Sequence, residues 1–271
     1  MLDTMNLLEW RLRAVFRVLW NGRSSMMAQQ EKLDTISNNI ANSNTTGYKR
    51  EEVSFQDLMY ETLDRRGYPV NKGENKNLIT GTGVKAGQWI RDNSQGSVVD
   101  TGSTTDLAID GPGYFRVRGS EGDMLTRGGS FNINVNGNLV DKNGNLLVIE
   151  PYANNINIPL TKDNFSIKED GVITVKQGND YIDMGKINIY NTVGDNDLLS
   201  VGENLYVPKE GVEPQPVINS SIMQGFLENS NVDMAKEMSD MIITQRAFSF
   251  GSRAVTTADE MWGMVNNIRG K

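Results

Sequence analysis

Apolar side chains recur at helical spacing through the last part of the chain, from Asn231 onward. Two series repeat at every seventh position: Met241, Phe248, Val255 and Trp262, and beside them Ala247, Ala254, Met261 and Ile268. Residues 229–231, Asn-Ser-Asn, and Asp233 can cap the start, Gly270 can close the end, and no proline intervenes. The pattern therefore predicts a single helix, roughly 50 Å long at 1.5 Å per residue.

A second heptad pattern lies near the other end of the chain. Its apolar positions are Leu19, Met26, Leu33 and Ile40, with Gly22 and Ile36 on the alternate positions. The polar residues 42–47 end this helix, because Asn and Gly adopt left-handed backbone and short polar side chains can bond the last helical carbonyls. We expect the two terminal helices to pack on each other as a coiled coil. Separate packing of each helix on the middle of the chain is the alternative.

The C-terminal pattern is wider than one partner helix covers. A two-helix seam uses only the a and d positions of each heptad, whereas two complete apolar series are present here. We assign the Met241 series to the N-terminal helix and the Ala247 series to neighbouring copies of the chain. The small residues on this face, which would allow close approach, are Ala247, Gly251, Ala254 and Ala258. A face covered within the same chain is the alternative interpretation.

Between the helices the pattern changes twice. Phe55, Leu58, Met59 and Leu63 suggest a short amphipathic helix, and residues 67–96 have the character of an extended connector with a strand near 84–90. Farther on, short apolar runs alternate with turn dipeptides: Asn136-Gly137, Asn143-Gly144, Asp170-Gly171 and Gly178-Asn179. Such dipeptides are typical of tight hairpins, so a domain of short antiparallel strands is predicted.

The predicted fold class is α+β, with long N- and C-terminal helices around an inserted, mainly antiparallel β domain. The expected segments are an extension at 1–14, an N-terminal helical segment at 15–66, the connector at 67–96, a β-rich outer domain at 97–220 and the C-terminal helix at 221–271.

Composition disfavours several classes of function. The net charge of −7 opposes general attraction to nucleic acid. The absence of Cys and His removes disulfides, thiolate nucleophiles, Cys/His zinc sites and the commonest general base. Charged residues interrupt the apolar stretch at 1–20, so neither a cleaved signal peptide nor a membrane span is predicted.

No motif predicts a catalytic, cofactor or metal site. Residues 141–145 carry glycine at the fourth rather than the sixth place of a calcium loop and lack its closing glutamate, so a hairpin turn is expected. The glycine turns at 81–83 and 111–113 are too short for phosphate loops. Asp195 and Asp197 have no third group beside them. We therefore expect neither enzymatic activity nor a cofactor.

Both ends of the chain resemble the flagellar rod and hook proteins. Residues 37–49, Ser-Asn-Asn-Ile-Ala-Asn-Ser-Asn-Thr-Thr-Gly-Tyr-Lys, are similar to the rod signature of that family. The signature positions in this chain are Asn38, Asn39, Ala41, Asn42, Asn44, Thr46, Gly47, Tyr48 and Lys49. Residues 230–248 and 254–261 resemble the family's terminal signature, and 105–115, 126–131 and 137–140 resemble its middle.

This resemblance implies a structural subunit that self-assembles into the helical rod of the basal body, the shaft that transmits motor torque to the hook. It also implies export by the flagellar type III apparatus, contacts with other rod and hook proteins, and no insertion into a membrane. The expected assembly positions on the two helices are Leu19, Met26, Leu33, Ile36, Ile40, Met241, Gln245, Arg246, Ala247, Phe248, Ala254, Val255, Ala258, Met261, Trp262, Val265 and Ile268.

Within that family, the length and residues 57–60 and 202–206 favour the distal-rod branch over the proximal-rod and hook branches. An alternative of a different class is a β-rich adhesin or carbohydrate-binding module with a helical stalk. Family members typically begin near Phe16, and Val15 is a position where a GUG codon could start translation, so residue 15 is the expected natural start. We also expect the terminal segments to be disordered in the monomer and helical after assembly.

Overall fold

The computed structural model describes residues 2–62, 79–120, 122–152, 159–162, 164–178, 180–194, 197–217 and 219–269, of which 2–15, 60–62, 79–80 and 265–269 are described as backbone only. These residues form two compact units. The helical unit comprises 2–38, 51–62, 79–90 and 235–269, and the β unit comprises 39–50 and the described residues of 91–234.

The elements, in chain order, are α1 (Leu2–Ala41), β1 (Glu51–Asp57), β2 (Tyr60–Thr62), β3 (Ile79–Gly81), β4 (Val84–Arg91), β5 (Val98–Asp100), β6 (Leu107–Asp110), β7 (Tyr114–Gly119), β8 (Gly122–Thr126), β9 (Asn132–Ile133), β10 (Leu139–Val140), β11 (Leu146–Leu147), β12 (Glu150–Pro151), β13 (Phe165–Ile167), β14 (Val172–Gln177), β15 (Asp180–Lys186), β16 (Ile189–Asn191), β17 (Leu198–Gly202), β18 (Leu205–Pro208), β19 (Gln215–Pro216), β20 (Ser221–Gln224), β21 (Phe226–Glu228) and α2 (Met234–Arg269). This order confirms the α+β class, with a helix at each end of a mainly antiparallel β region.

The two long helices of the helical unit run antiparallel. Near one end of the contact, Phe16 packs edge to face on Trp262, with ring centroids 5.2 Å apart. Farther along α1, Gly22 faces Gly251 and Val255 of α2. The residue numbers of the contacts therefore increase along α1 as they decrease along α2, which is the antiparallel arrangement. Each helix covers part of the other's apolar face.

Two glycines set the closest approach of these helices. A Cβ atom added to Gly22 would lie 2.8 Å from Val255 Cγ2, and one added to Gly251 would lie 2.9 Å from Met26 Cγ. Neither distance accommodates a methyl group unless the opposing side chain moves, so glycine is required for this spacing.

Residues 51–62 form strands, which corrects the predicted short helix at 55–63. In β1, Val53 is buried while Phe55 is exposed, and the Ser54 hydroxyl exchanges hydrogen bonds with the backbone of Gln88 in β4. The apolar run was too short for its spacing to distinguish helix from strand, and pairing with β4 decided the outcome. The strand expected near 84–90 is confirmed as β4, whereas residues 63–78 of the connector lie outside the described part of the chain.

The β unit contains a large sheet whose main strand order is β17-β18-β8-β7-β11-β10-β9, with β16 pairing both β7 and β19. A second sheet has the order β12-β15-β14-β13, and two further pairs join β6 to β20 and β5 to β21. The registered pairs are antiparallel, as the hairpin signals predicted. Short turns connect some neighbouring strands, such as β7 to β8 and β14 to β15, whereas other pairs, such as β6 with β20, join strands that are distant in sequence.

The core of the β unit is closely packed. Phe115 and Phe131 meet edge to face with centroids 5.6 Å apart, and both are at most 1% exposed. Leu107, Ile173 and Ile222 from other strands are also buried in this cluster. Burial of large apolar side chains on this scale stabilises the unit within a single chain.

The predicted turn dipeptides lie between consecutive strands. Gly137, Gly144 and Gly171 have φ values of 78°, 85° and 85°, the left-handed region that a glycine adopts without steric cost. At the rejected calcium motif, Asp141 Oδ1 accepts the backbone N–H groups of Asn143 and Asn145. That carboxylate therefore organises a hairpin turn, as expected.

The β unit continues past residue 220, where we expected the C-terminal helical segment to begin. Ile222 pairs with Ile109 across β20 and β6 and is buried, which favours a strand at this position. Gly225, with φ of 88°, separates β20 from β21. The helix starts at Met234, directly after the predicted cap residue Asp233.

Candidate functional site

The rod signature forms the exit from α1 and the loop that follows. Ser43 donates its hydroxyl to the Ile40 carbonyl at 2.9 Å, the kind of bond expected from Asn or Thr in this run but supplied by a serine. The Thr45 hydroxyl donates to Asn42 Oδ1 at 3.2 Å. Local side-chain bonds thus satisfy the helix end and shape the loop.

The second half of the signature turns back on the first. Tyr48 donates its hydroxyl to Asn39 Oδ1 at 3.1 Å. Gly47, with φ of 70°, donates its N–H to the Glu228 carbonyl at 2.8 Å. A Cβ at this glycine would lie 2.5 Å from the Arg127 carbonyl, so any side chain would clash with backbone.

The nine signature residues differ in exposure. Asn39, Gly47 and Lys49 are buried, Asn42, Thr46 and Tyr48 are half-buried, and Asn38, Ala41 and Asn44 are exposed. Thr46 accepts a hydrogen bond from the Asn204 side chain at 3.0 Å. The buried members therefore position the loop within the β unit.

At the end of the signature, three buried charges form one network. Lys49 Nζ lies 2.7 Å from Glu228 Oε1, and Arg127 Nε lies 2.5 Å from Glu228 Oε2, with all three side chains at most 3% exposed. Glu228 Oε1 also accepts the N–H of Gly96 at 2.9 Å, and Lys49 donates to the Ser94 carbonyl at 2.7 Å. One carboxylate therefore joins four separate segments of the chain.

Arg127 connects the ion network to further backbone segments of the β unit. Its guanidinium also donates to three backbone carbonyls: Ile109, Gly111 and Gly113. These acceptors flank the turn between β6 and β7, so a single side chain fixes that turn relative to β21 and the signature. Charge-assisted bonds of this kind are stronger than neutral ones.

Burial changes the ionisation of the surrounding groups. Desolvation lowers the pKa of the Lys49 ammonium, although Glu228 opposes the shift by stabilising the charged form. Desolvation raises the pKa of the Tyr114 hydroxyl, which donates to Asn93 Oδ1 at 3.2 Å. Hydrogen bonds from Ser94 hold the pKa of the Asp92 carboxyl below its ordinary value. These are the shifts of a structural ion network.

The assembly positions predicted on α1 lie on its covered side. Ile36 is buried, and Leu19, Met26, Leu33 and Ile40 are half-buried. Trp20 and Met27, which the heptad did not include, are 62% and 57% exposed. The heptad therefore identified the inward face of α1, while large apolar side chains also remain on its outward face.

On α2 the covered face runs between the two predicted series. Its most buried side chains are Glu237, Thr244 and Ala258, which with Gly251 recur every seventh residue. The flanking positions Met241, Ala247, Phe248, Ala254 and Val255 are half-buried, Gln245, Arg246, Met261 and Trp262 are exposed, and the side chains of Val265 and Ile268 lie outside the described set. The seam thus has small and polar residues at its centre, which an apolar pattern could not indicate.

The uncovered apolar surface of α2 was missed at the level of individual residues. Ile243, Phe250 and Met264 share the same heptad position and are 63%, 68% and 59% exposed. We call these three residues the outer stripe. The apolar pattern places the free face at the Ala247 series, which is adjacent around the helix. The available signal was the shared heptad position, with Ile243 and Phe250 seven residues apart and Met264 fourteen residues farther on.

Arg127 and Glu228 were also absent from the predicted site. Arg127 directly follows β8, in the segment 126–131 that resembles the middle of the family, and Glu228 ends β21, five residues before Asp233. For Glu228, a charged residue at an inward position of a strand was the available signal. Their pairing across about 100 residues of sequence could come only from the tertiary structure.

Within the described residues, no cluster of three or more His, Cys, Asp or Glu side chains is arranged to hold a metal ion. None of the described helices is long and apolar enough to cross a membrane.

Comparison with known protein families gives matches along most of the chain. Residues 19–49 match the family described as flagella basal body rod protein, 108–175 match the flagellar hook protein FlgE/F/G D1 domain, and 223–268 match the flagellar basal body rod FlgEFG protein C-terminal family. The first match contains the signature, the second most of the large sheet, and the third the outer stripe.

Individual relatives match over nearly their whole length. The flagellar basal-body rod protein FlgG of Buchnera aphidicola subsp. Baizongia pistaciae is 39% identical, covering 90% of this chain and 96% of the relative. FlgG of Bacillus subtilis is 34% identical, covering 94% and 100%. The flagellar hook-basal body complex protein FlhP of the same organism is 30% identical, covering 94% and 100%.

Proposed function

The chain belongs to the flagellar basal-body rod protein family and is a structural subunit of the basal-body rod; from this premise we propose that it polymerises into the distal rod through its two terminal helices. Apolar surface on α2 carries the proposal. Ile243, Phe250 and Met264 are more than half exposed. A helix with apolar residues on both its covered and its outward faces is stable when it is buried among further helices.

The two faces of α2 have different roles in this proposal. Its covered face packs on α1 of the same chain as a coiled coil, supported by the Phe16–Trp262 contact and the close approach at Gly22 and Gly251. The outer stripe packs on neighbouring copies. Because large apolar surface remains exposed until those copies are present, the terminal segments become stably helical only on assembly.

We assign the β domain to the outer layer of the rod and the helices to its inner tube. The fully buried core of the β unit supports a domain that is folded before it joins a neighbour. The subunit transmits motor torque as part of the shaft and has no enzymatic activity. It is exported by the flagellar type III apparatus and contacts other rod and hook proteins, neither nucleic acid nor the interior of a membrane.

The distal-rod assignment is favoured by the relatives named FlgG. In Bacillus subtilis the FlgG protein is more similar to this chain than FlhP is, at 34% against 30% identity. The proximal-rod and hook branches are the alternatives within the family. An adhesin with a helical stalk would be the alternative from another class, and it would keep its ligand after loss of the C-terminal helix.

The proposal is tested by placing a charge on the outer stripe. Phe250→Asp is expected to abolish polymerisation of the purified chain and motility of the cell, because burying an unpaired carboxylate against a neighbouring helix is strongly unfavourable. Ser252→Asp is the matched control, since Ser252 is exposed and lies about 200° around the helix from Phe250. Sedimentation of assembled rods and swimming assays measure both variants.

Deletion of residues 232–271 gives a second test. The truncated chain should neither polymerise nor support motility, while its β unit stays folded. Functional flagella built from the truncated chain, or normal assembly of Phe250→Asp, would overturn the proposal.

A further inference from the structure

A small cavity lies beside the buried ion network, on the side of the β unit formed by the strand ends around β7 and β16. Its volume is about 190 Å³. Polar and charged side chains dominate its wall: Lys49, Arg127, Asn93, Tyr114 and Thr192. A cavity of this size holds several water molecules or one small polar ion, and is smaller than pockets for drug-sized ligands.

The single carboxylate of Glu228 does not neutralise both cations in the cavity wall. Lys49 and Arg127 are 2% and 3% exposed, and both pair with Glu228, so this buried trio carries one excess positive charge. Arg91 adds another cation close by, lying over the Tyr206 ring at 4.2 Å and interacting with Tyr114. The exposed carboxylate of Asp92 interacts with Lys49 and also with the Arg50 cation.

Each of the two cations retains hydrogen-bonding capacity. Lys49 Nζ has three N–H groups and contacts two acceptors, Glu228 and the Ser94 carbonyl. Arg127 has five N–H groups, and four bonds to acceptors are formed. Among the described residues, one N–H group on each therefore lacks an acceptor. Buried donors normally have a partner, and these two belong to side chains that line the same cavity.

We propose that this cavity binds a single oxyanion group, a carboxylate or a phosphate, held between Lys49 and Arg127. An oxyanion supplies the missing negative charge and accepts from both remaining N–H groups, and arginine beside lysine is a recurrent arrangement for such groups. Tyr114 and residues 192–194 also line the cavity. A bound anion opposes the effect of the desolvation that lowers the pKa of Lys49, because a nearby negative charge favours the ammonium form.

Val193 is among the residues that line the cavity, and its exposed fraction is 96%, a high value for an apolar residue. A longer side chain here can turn inward without disturbing the core. Val193→Glu therefore supplies a carboxylate from the chain itself, while the fold is retained.

The test uses the full-length chain at a concentration where it is monomeric. Acetate and phosphate are titrated separately, with sodium chloride at matched ionic strength as the control, while amide NMR shifts of Gly113 and Gly194 are followed. We expect saturable shifts with both oxyanions. In Val193→Glu the affinity should fall at least about tenfold, because the new carboxylate occupies the site. The thermal midpoint without added anion should rise.

Val135→Glu is the matched control variant, since Val135 is 104% exposed and belongs to a turn that does not line the cavity. It should bind oxyanions as the unmodified chain does. If the shifts follow chloride and the oxyanions equally, or if the two glutamate variants respond alike, the cavity is not an oxyanion site.

A second arm distinguishes the source of the anion in the assembled rod. If the oxyanion is a carboxylate from a neighbouring copy, Val193→Glu polymerises less well than Val135→Glu, because it competes for that contact. If it is a free ion such as inorganic phosphate, both variants polymerise equally and polymerised unmodified chain retains saturable phosphate binding. Rod assembly and anion binding by the monomer are independent measurements, so failure of one does not decide the other.

Discussion

The β unit and the helical unit bury opposite kinds of residue. At the centre of the β unit are large apolar side chains such as Phe115, Phe131 and Ile173, each at most 1% exposed. At the centre of the helix seam are Thr244 and Ala258, while Phe250 and Trp20 are 68% and 62% exposed. Because hydrophobic stabilisation scales with apolar area removed from water, the first unit can be stable alone, whereas we expect the second to gain further burial from other copies.

This difference suits the two roles within one subunit. A subunit that must remain soluble before assembly can have a folded β domain, provided that the helices do not form a complete bundle alone. Polar and small residues in the seam limit the stability of the isolated helix pair. In the proposed rod, neighbouring copies supply the missing contacts, and we expect polymerisation and helix formation to be coupled.

The largest expected effect is on the stability of the β unit, and it tests whether this unit is stable without neighbouring copies. Glu228→Leu leaves Lys49 and Arg127 buried without their carboxylate and should lower the free energy of unfolding by about 3–5 kcal/mol. Urea denaturation of the monomer, followed by circular dichroism and by the amide NMR signals of β-unit residues such as Gly113, measures the change.

The control removes a comparable ion pair at the surface. Arg118 and Asp123 contact each other at 2.6 Å but are 60% and 39% exposed. Asp123→Asn should change stability by less than about 1 kcal/mol. Equal effects of the two substitutions would show that the buried network does not stabilise the unit.

An intermediate effect is expected at the helix crossing. Gly251→Leu forces α1 and α2 apart at Met26, at a cost of about 1–3 kcal/mol for overpacking. The critical concentration for polymerisation should therefore rise, while urea unfolding of the β unit stays unchanged. Gly263→Leu is the control, since a Cβ there meets no atom within 4 Å. If both substitutions raised the critical concentration equally, the close contact at Gly251 would not explain the effect.

The smallest effect concerns the acid stability of the β unit. The folded pKa of Asp92 is below its ordinary value of 3.8, so its contribution to stability is complete above that value and is lost as the pH falls through the folded pKa. Asp92→Asn should make the stability less dependent on pH in that acidic range. Because Asp92 is exposed, the change is small. An unchanged pH slope in urea titrations between about pH 2 and 4 would argue against this contribution.

How much the sequence alone determined varies along the chain. Period-seven apolar positions located both helices, but the C-terminal helical segment was expected from 221, and α2 begins only at Met234, after Asp233. Asn-Gly and Asp-Gly dipeptides located the hairpin turns, because the required backbone conformation is a local property. The rod signature and the terminal signature gave the family.

The tertiary structure decided what local pattern could not. β1 follows from pairing with β4, β2 from pairing with β3 and β20 from pairing with β6, each partner being distant in sequence. The network of Lys49, Arg127 and Glu228 joins residues that no local spacing connects. The outer stripe also depended on tertiary structure, because only the position of α1 shows which apolar face of α2 is left uncovered. Local chemistry therefore specified the elements, and long-range packing selected which of their surfaces became buried.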